Sequence, residues 1–212
     1  MKDVLDILGN IPVSKETIAT LYPAVSASNQ KVSSLEHSGK LLRLKRGLYI
    51  VNPACSGRRI SIELVANHLY SPSYVSMHTA LRLYGLIPEQ VHLVQSMTLK
   101  HSREFENALG KFSYTGVGRD YFPIGLRQEE TEGTTFIIAS PEKALCDLIC
   151  HTSGLNLRYQ KEAKVFLEED LRLDMDAFGQ FNADIFRQCA NAGKKAQSID
   201  TIIKLLNNER TI

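Results

Sequence analysis

Three short segments near the start of the chain repeat their apolar positions at the spacing of an α-helix. Residues 2–9 and residues 14–22 each place apolar side chains on one side of a helix, and Ser14 can cap the second. The third segment keeps Val32 and Leu35 on one face and leaves its other faces polar. The pattern therefore predicts three short helices, the last with a face suited to a polar partner.

The third helix is bounded by residues that start and end helices. Ser26 or Ser28 can accept a hydrogen bond from a free backbone N–H at its start, and Gly39 can end it in a left-handed conformation. Beyond Gly39, apolar positions alternate with polar ones on both sides of Lys45-Arg46-Gly47, which predicts two strands joined by a tight basic turn. Helices followed by such a hairpin predict a winged helix-turn-helix over residues 1–55, with the hairpin as the wing.

The remainder of the chain predicts a second domain over residues 60–212, with a small sheet and C-terminal helices. The gaps between its strands are mostly too short for helical crossovers, which favours an antiparallel or mixed sheet. The fold class predicted for the whole chain is α+β. Helices are predicted at 61–70, 76–86, 140–149, 157–169, 174–192 and 198–208, and strands at 91–100, 112–117, 121–126 and 134–139.

The charge of the chain is unevenly distributed. The net charge is only +2, which by itself argues against a nucleic-acid partner. However, residues 1–60 hold nine Lys or Arg against four Asp or Glu, whereas residues 61–212 have a net charge of −3. The positive charge is therefore concentrated around the predicted wing, where a DNA-binding domain needs it.

The predicted recognition helix and wing contain the side chains that suit a DNA duplex. Asn, Gln and Lys side chains contact base edges in the major groove, and Lys and Arg side chains contact phosphates. The alternative interpretation is a solvated helix and a surface hairpin whose charges only keep the domain soluble. The succession of helices, Gly39 and basic hairpin favours DNA binding. The predicted DNA-binding residues are Ser28, Asn29, Gln30, Lys31, Ser33, Lys40, Arg43, Lys45 and Arg46.

Composition and motifs argue against several other classes of protein. The chain has no run of 18 or more apolar residues and no secretory signal pattern, which predicts a cytoplasmic protein without membrane contact. The four cysteines are scattered and predict buried free thiols rather than a metal site. No P-loop, G-x-S-x-G or H-E-x-x-H motif is present, so we expect no enzyme and no cofactor. An enzyme would have to use scattered groups such as His78, His92, Asp120 or Glu142.

Three stretches of the sequence resemble motifs of the AbiEi-type antitoxins, the antitoxin family of bacterial abortive-infection, type IV toxin–antitoxin systems. SPEKALCDLI at 140–149 resembles the A-x-P-E-K-A-L-x-D-L signature of that family. SMHTALRLYGL at 76–86 and SGKLLRLKRGLYIV at 38–51 are similar to its S-x-x-S-A-L-x-x-x-G-L helix and its L-x-R-x-x-R-G-x-Y hairpin. The likeness covers residues 1 to about 150, and its motifs are in the family's order.

The resemblance implies a repressor that binds double-stranded DNA repeats in its own promoter through a winged helix-turn-helix. It further implies an antitoxin that opposes a nucleotidyltransferase toxin encoded alongside, without a need for direct contact with that toxin. Glu142, Lys143 and Asp147 match the C-terminal signature, and capping together with pairing on the helix surface accounts for them. The alternative hypothesis is a winged-helix regulator whose C-terminal domain binds a ligand or a protein and has no antitoxin role.

Overall fold

The computed structural model describes residues 4–23, 28–88 and 93–209, which form a mixed α and β fold with two sheets and a set of C-terminal helices. We call the segment from residue 4 to residue 56 the N-terminal unit and the segment from residue 62 to residue 209 the C-terminal unit. Within the described parts of the chain, no helix is both long enough and apolar enough to cross a membrane.

The N-terminal unit contains the three predicted short helices and the predicted hairpin. The Ser14 hydroxyl accepts a hydrogen bond from Thr17 N at 3.1 Å, as expected of a helix cap, and Gly39 has the left-handed φ of 72° that ends the third helix. Ser26, the other candidate cap, lies outside the described residues. The elements are a 3₁₀ helix at Val4–Leu8, β1 at Val13–Ser14, α1 at Lys15–Thr20, α2 at Ser28–His37, β2 at Leu41–Lys45, β3 at Leu48–Val51 and α3 at Pro53–Ser56.

Strands β1, β3 and β2 form an antiparallel three-stranded sheet in that order. The short β1 and the single-turn α3 were not predicted, because two residues and four residues are too few to show a period. Strands β2 and β3, which we call the basic hairpin (residues 41–51), turn at Arg46-Gly47, where Gly47 adopts a φ of 80°. The pairing register of the hairpin shifts between Arg43 and Lys45, which indicates a β-bulge close to the turn.

The C-terminal unit contains a six-stranded sheet in the order β6-β7-β5-β4-β9-β8. The prediction left an antiparallel or a mixed sheet open, and the observed sheet is mixed. The pairs β4/β9 and β5/β7 are parallel, and the other pairs are antiparallel. Helix α4 at Ile62–Leu69 precedes the first of these strands, and α5 at Met77–Leu83 follows it. The strands are β4 at Ser73–Val75, β5 at Leu93–Thr98, β6 at Arg103–Asn107, β7 at Gly110–Gly116, β8 at Leu126–Thr131 and β9 at Thr134–Ala139.

The strand predicted at residues 121–126 is wrong, because residues 121–125 form turns before β8 begins at Leu126. Pro123 cannot donate a ladder hydrogen bond, and Gly125 has a left-handed φ of 60°. A Cβ on Gly125 would lie 3.0 Å from the Cβ of Lys143, so the glycine also permits close packing against the next helix.

Helices cover the rest of the C-terminal unit. The Ser140 hydroxyl caps the first of them by accepting a hydrogen bond from Lys143 N, as predicted. The single helix predicted over residues 174–192 is wrong: the chain leaves the helix at Gly179 and enters a new one with Asn182 as its cap. The helices are α6 at Pro141–His151, α7 at Gln160–Val165 with a π-helical turn at Phe166–Asp170, α8 at Met175–Gly179, α9 at Ala183–Ala192 and α10 at Ala196–Glu209.

Two hydrophobic cores hold the molecule together. The larger core fills the C-terminal unit, and it also takes in Leu44 and Ile50 of the basic hairpin. The hairpin therefore contributes to both cores and links the two units. The smaller core consists of Leu5, Leu8, Val13, Ile18, Val32, Leu35, Leu41, Tyr49 and Val51.

Lys195 joins the start of α10 to the end of α6. Its ammonium group donates hydrogen bonds to the carbonyl oxygens of Ile149 at 3.0 Å, Thr152 at 2.7 Å and Leu155 at 2.8 Å. Carbonyls in the last turn of a helix lack partners within the helix, and a cation there is favoured by the helix dipole. Lys195 therefore stabilises the end of α6 and the loop that follows it.

Candidate nucleic-acid interface

Helix α2 has one buried face and one exposed polar face. Val32 is 1 % exposed and Leu35 is 5 % exposed, so this face packs into the smaller core. Gln30, Ser33 and Ser34 are exposed on the other side of the helix. The side chains of Ser28 and Asn29, which were predicted to bind DNA, lie outside the described residues although their backbone belongs to α2. The helix thus has the polar face that was predicted for it.

Lys31 is the least accessible of the predicted DNA-binding residues at the start of α2 whose side chains are described. It is half-buried, and its ammonium group lies 4.9 Å from the centre of the Tyr22 ring. A lysine head group over an aromatic face is attracted electrostatically by the ring. The Tyr22 ring therefore favours a position of the Lys31 head group against it.

Arg43 connects the basic hairpin with the recognition-helix candidate. Its guanidinium lies 3.8 Å from the Glu36 carboxylate of α2, and the Arg43 side chain remains 50 % exposed. An exposed ion pair of this kind contributes about 0–1 kcal/mol, so Arg43 can exchange Glu36 for another anion at little cost. Lys40 and Arg46, at the two ends of strand β2, are also exposed.

Lys45 is placed differently from the other basic residues of the hairpin. Its ammonium group donates a hydrogen bond of 2.6 Å to the carbonyl oxygen of Leu69, at the end of α4. Burial lowers the pKa of Lys45, and the nearby charges of Lys100 and Arg103 lower it further. The prediction that Lys45 contacts phosphate is therefore not favoured by this geometry, because the head group already binds a carbonyl inside the protein.

Lys100 and Arg103 extend the basic surface from the hairpin onto the C-terminal unit. They flank the turn between β5 and β6, both are exposed, and both are close enough to affect the Lys45 pKa. Lys100 lies 5.0 Å from the centre of the Tyr70 ring, and Arg103 lies 4.9 Å from the centre of the Phe105 ring. Neither residue was predicted to bind DNA, because no local pattern shows that this turn folds beside the hairpin.

The stretch SPEKALCDLI at residues 140–149 caps and begins α6, and it contains a buried ion pair. Lys143 and Asp147 are both 0 % exposed, and their charged groups lie 3.5 Å apart. The Lys143 ammonium donates to Tyr121 O at 2.9 Å, and the Ser76 hydroxyl donates to Asp147 at 2.6 Å. The interpretation of these residues as a surface pair is therefore wrong.

Packing on every side of α6 explains this burial. All residues from Glu142 to Cys150 are buried, so the helix has no solvent face over that stretch. Burial raises the pKa of Asp147, while Lys143 and the Ser76 hydroxyl act in the opposite direction. Glu142 is 4 % exposed and accepts a hydrogen bond from Asn182 N at 2.8 Å, which ties α6 to the start of α9. Glu142, Lys143 and Asp147 thus lie in the interior of the C-terminal unit and connect α6 to the elements around it.

Of the groups considered for catalysis, His78 and Glu142 have hydrogen-bond partners within the fold. His78 contacts the Gln95 side chain at 3.3 Å, Asp120 is exposed in a turn, and Glu142 bonds to α9. His92 lies outside the described residues. Within residues 4–23, 28–88 and 93–209, no group of three or more His, Cys, Asp or Glu side chains is arranged to hold a metal ion.

Comparisons with family models and with curated proteins assign no family to this chain. The chain matches no protein-family model, and it has no significant match among the curated proteins.

Proposed function

We propose that this protein is a DNA-binding transcriptional repressor in which the N-terminal unit is a winged helix-turn-helix. Helix α2 is the recognition helix, and the basic hairpin is the wing. The observation that carries the proposal is the Arg43–Glu36 contact of 3.8 Å, which places an exposed basic side chain of the hairpin beside a helix whose outer face is polar. A duplex that lies on these elements meets base-contacting and phosphate-contacting side chains together.

The proposed interface contains exposed groups from both units. Gln30 and Ser33 of α2 contact base edges, while Lys40, Arg43 and Arg46 contact phosphates. Lys100 and Arg103 contribute additional phosphate contacts from the β5–β6 turn. Ser28 and Asn29 belong to the proposal through their positions in the first turn of α2, where recognition helices usually meet base edges.

The experiment that tests the proposal is binding of the full chain to the DNA upstream of its own gene. Fluorescence anisotropy would be measured at two salt concentrations, with a scrambled duplex of the same length and composition as competitor. We expect a preference for the upstream duplex and an affinity that falls steeply with salt, because phosphate contacts release counterions. Equal affinity for the scrambled duplex would contradict sequence-specific repression.

The proposal includes an antitoxin role, which the motif resemblance supports. In this role the protein represses its own operon and opposes a nucleotidyltransferase toxin without the need to bind it. The test is growth rescue: a toxin-like nucleotidyltransferase gene beside this gene would be expressed with and without the protein. Rescue by the full chain supports the role, and toxicity that the protein does not relieve contradicts it. A regulator whose C-terminal unit binds a ligand or protein is the alternative hypothesis in that case.

A further inference from the structure

The contact between Lys45 and Leu69 has the geometry of a helix cap supplied by a distant strand. Leu69 is the last residue of α4, and its carbonyl oxygen accepts the Lys45 ammonium at 2.6 Å. Carbonyls in the last turn of a helix have no partner within the helix, and the negative end of the helix favours a cation. The contact therefore satisfies a backbone group of the C-terminal unit with a side chain of the hairpin.

A second hydrogen bond, from strand β6, holds the same end of the hairpin. The Asn107 amide donates to Leu44 O at 3.2 Å, from the end of β6. Leu44 itself is 3 % exposed and packs in the larger core. Two hydrogen bonds and a buried side chain, contributed by consecutive hairpin residues, thus fix the turn of the hairpin against α4 and β6.

The β-bulge explains how adjacent residues of one strand can point to different surroundings. The register shift between Arg43 and Lys45 lies at Leu44, and bulges bend a strand and redirect its side chains. As a result Arg43 remains exposed beside α2, whereas Leu44 enters the larger core and the Lys45 head group contacts α4. The bulge separates a solvent-facing part of the strand from a part that docks on the C-terminal unit.

We infer that Lys45 and Asn107 are positioning residues for DNA binding, which clamp the hairpin to the C-terminal unit so that the basic groups of both units face one duplex. The inference rests on the proposed function. It assigns Lys45 no phosphate of its own, in contrast to Arg46, the next residue along the chain. The clamp makes the C-terminal unit a structural part of the DNA-binding surface.

The test compares Lys45→Met with Arg46→Met by the salt dependence of DNA binding. Both variants remove one charge and keep an unbranched stem. The slope of log K against log salt concentration is negative, and loss of one phosphate contact reduces its magnitude by about 0.9, which is the result expected for Arg46→Met. For Lys45→Met we expect an affinity about three- to tenfold lower, the size of one typical intramolecular hydrogen bond, with the slope unchanged. A slope whose magnitude falls by about 0.9 in Lys45→Met would overturn the inference.

A second variant and a DNA-independent readout separate this inference from the proposed function. The Asn107 side-chain oxygen accepts a hydrogen bond from Leu109 N at 2.8 Å, and the serine hydroxyl in Asn107→Ser can replace that acceptor. The serine side chain is too short to donate to Leu44 O, so the contact with the hairpin is lost. We expect faster amide hydrogen exchange across the hairpin in Asn107→Ser and Lys45→Met, and no change in Arg46→Met. Unchanged exchange in both clamp variants would overturn the clamp. If the wild type does not prefer its upstream DNA, the proposed function fails, and the exchange result still decides whether the clamp exists.

Discussion

Helices α2 and α6 place charged and polar residues in opposite environments. Helix α2 buries Val32 and Leu35 and exposes most of its other described side chains, whereas α6 buries every residue from Glu142 to Cys150. The groups beside α2 face water and can exchange one partner for another. The groups on α6 have internal partners that they cannot leave without a large cost. The surroundings, and not the residue types, decide which charges are available for binding.

The two ion pairs of these helices show this difference at similar separations. Arg43 and Glu36 lie 3.8 Å apart with both side chains partly exposed, and Lys143 and Asp147 lie 3.5 Å apart with neither exposed. Water screens the first pair, so its contribution to stability is about 0–1 kcal/mol. In the second pair, loss of one partner leaves a buried charge without compensation.

Replacement of one member of the buried pair should destabilise the fold strongly. We expect Lys143→Met to lower the free energy of unfolding by about 3–5 kcal/mol, because Asp147 would remain buried without its cation. Urea unfolding followed by circular dichroism measures this. Lys161→Met on the exposed side of α7 is the matched control and should change stability by less than about 0.5 kcal/mol. Recovery of stability in Lys143→Met/Asp147→Leu would identify the unpaired charge as the cause, and a loss below about 1 kcal/mol in the single variant would contradict the prediction.

A polar substitution on α2 should affect DNA binding without an effect on stability. Gln30→Ala is expected to weaken binding to the upstream duplex by about 1–3 kcal/mol, the range for one bidentate base contact. Gln188→Ala, at an exposed position of α9, provides a control with the same chemical change. Competition titrations with wild-type and scrambled duplexes measure the loss. If both glutamine variants bind DNA equally well, α2 does not contact bases through Gln30.

Removal of the acid in the exposed pair should strengthen DNA binding slightly. Glu36→Gln leaves Arg43 without its carboxylate partner, so Arg43 can bind phosphate without competition. We expect an affinity gain below about 1 kcal/mol and a similarly small change in unfolding free energy. The same substitution in an Arg43→Met background should give no gain in affinity. Weaker DNA binding by Glu36→Gln would show that Glu36 positions Arg43 for the phosphate and does not compete with the phosphate for it.

Acid should destabilise the protein in part through His151 at the end of α6. Burial lowers the pKa of His151 below its ordinary value of 6.5, and nearby lysines act in the same direction although Asp147 opposes them. His151 therefore binds a proton more tightly in the unfolded chain than in the folded one. Its contribution to stability is present above pH 6.5, the ordinary pKa, and is lost as the pH falls from there through the lower pKa of the folded state. Thermal unfolding between about pH 7 and pH 5 should show a shallower loss for His151→Gln than for the wild type. His37→Gln, at an exposed position of α2, is the control variant that removes a histidine elsewhere in the chain.

Local patterns predicted the N-terminal elements well because short helices with caps and a glycine turn are specified by neighbouring residues. The Ser14 cap, the left-handed Gly39 and the basic hairpin all follow from the sequence within a few positions. Four strands were missed: β1 and β4, of two and three residues, are too short to show a period, and β6 and β8 form the two edges of the larger sheet. Edge strands contain many charged residues, which hides the alternation that identifies a strand.

The features of the site that were missed depend on contacts between distant parts of the chain. Lysine and aspartate four residues apart on a helix indicate an exposed pair, and only the packing of neighbouring elements around α6 buries Lys143 and Asp147. Likewise, Lys45 in a basic turn indicates a phosphate contact, and the carbonyl that it binds belongs to Leu69, 24 residues further along the chain. Local periodicity contains no information on either environment.

The three carbonyl contacts of Lys195 also have a chemical consequence. An ammonium group has three N–H bonds, and Lys195 directs all three at the oxygens of Ile149, Thr152 and Leu155. Acylation requires a deprotonated amine with an accessible lone pair, so this nitrogen is a poor nucleophile in the folded chain. Its neighbour Lys194 is exposed. A lysine-acylating reagent therefore distinguishes two adjacent residues of the same type, and labelling of Lys195 becomes a reporter of local opening at the end of α6.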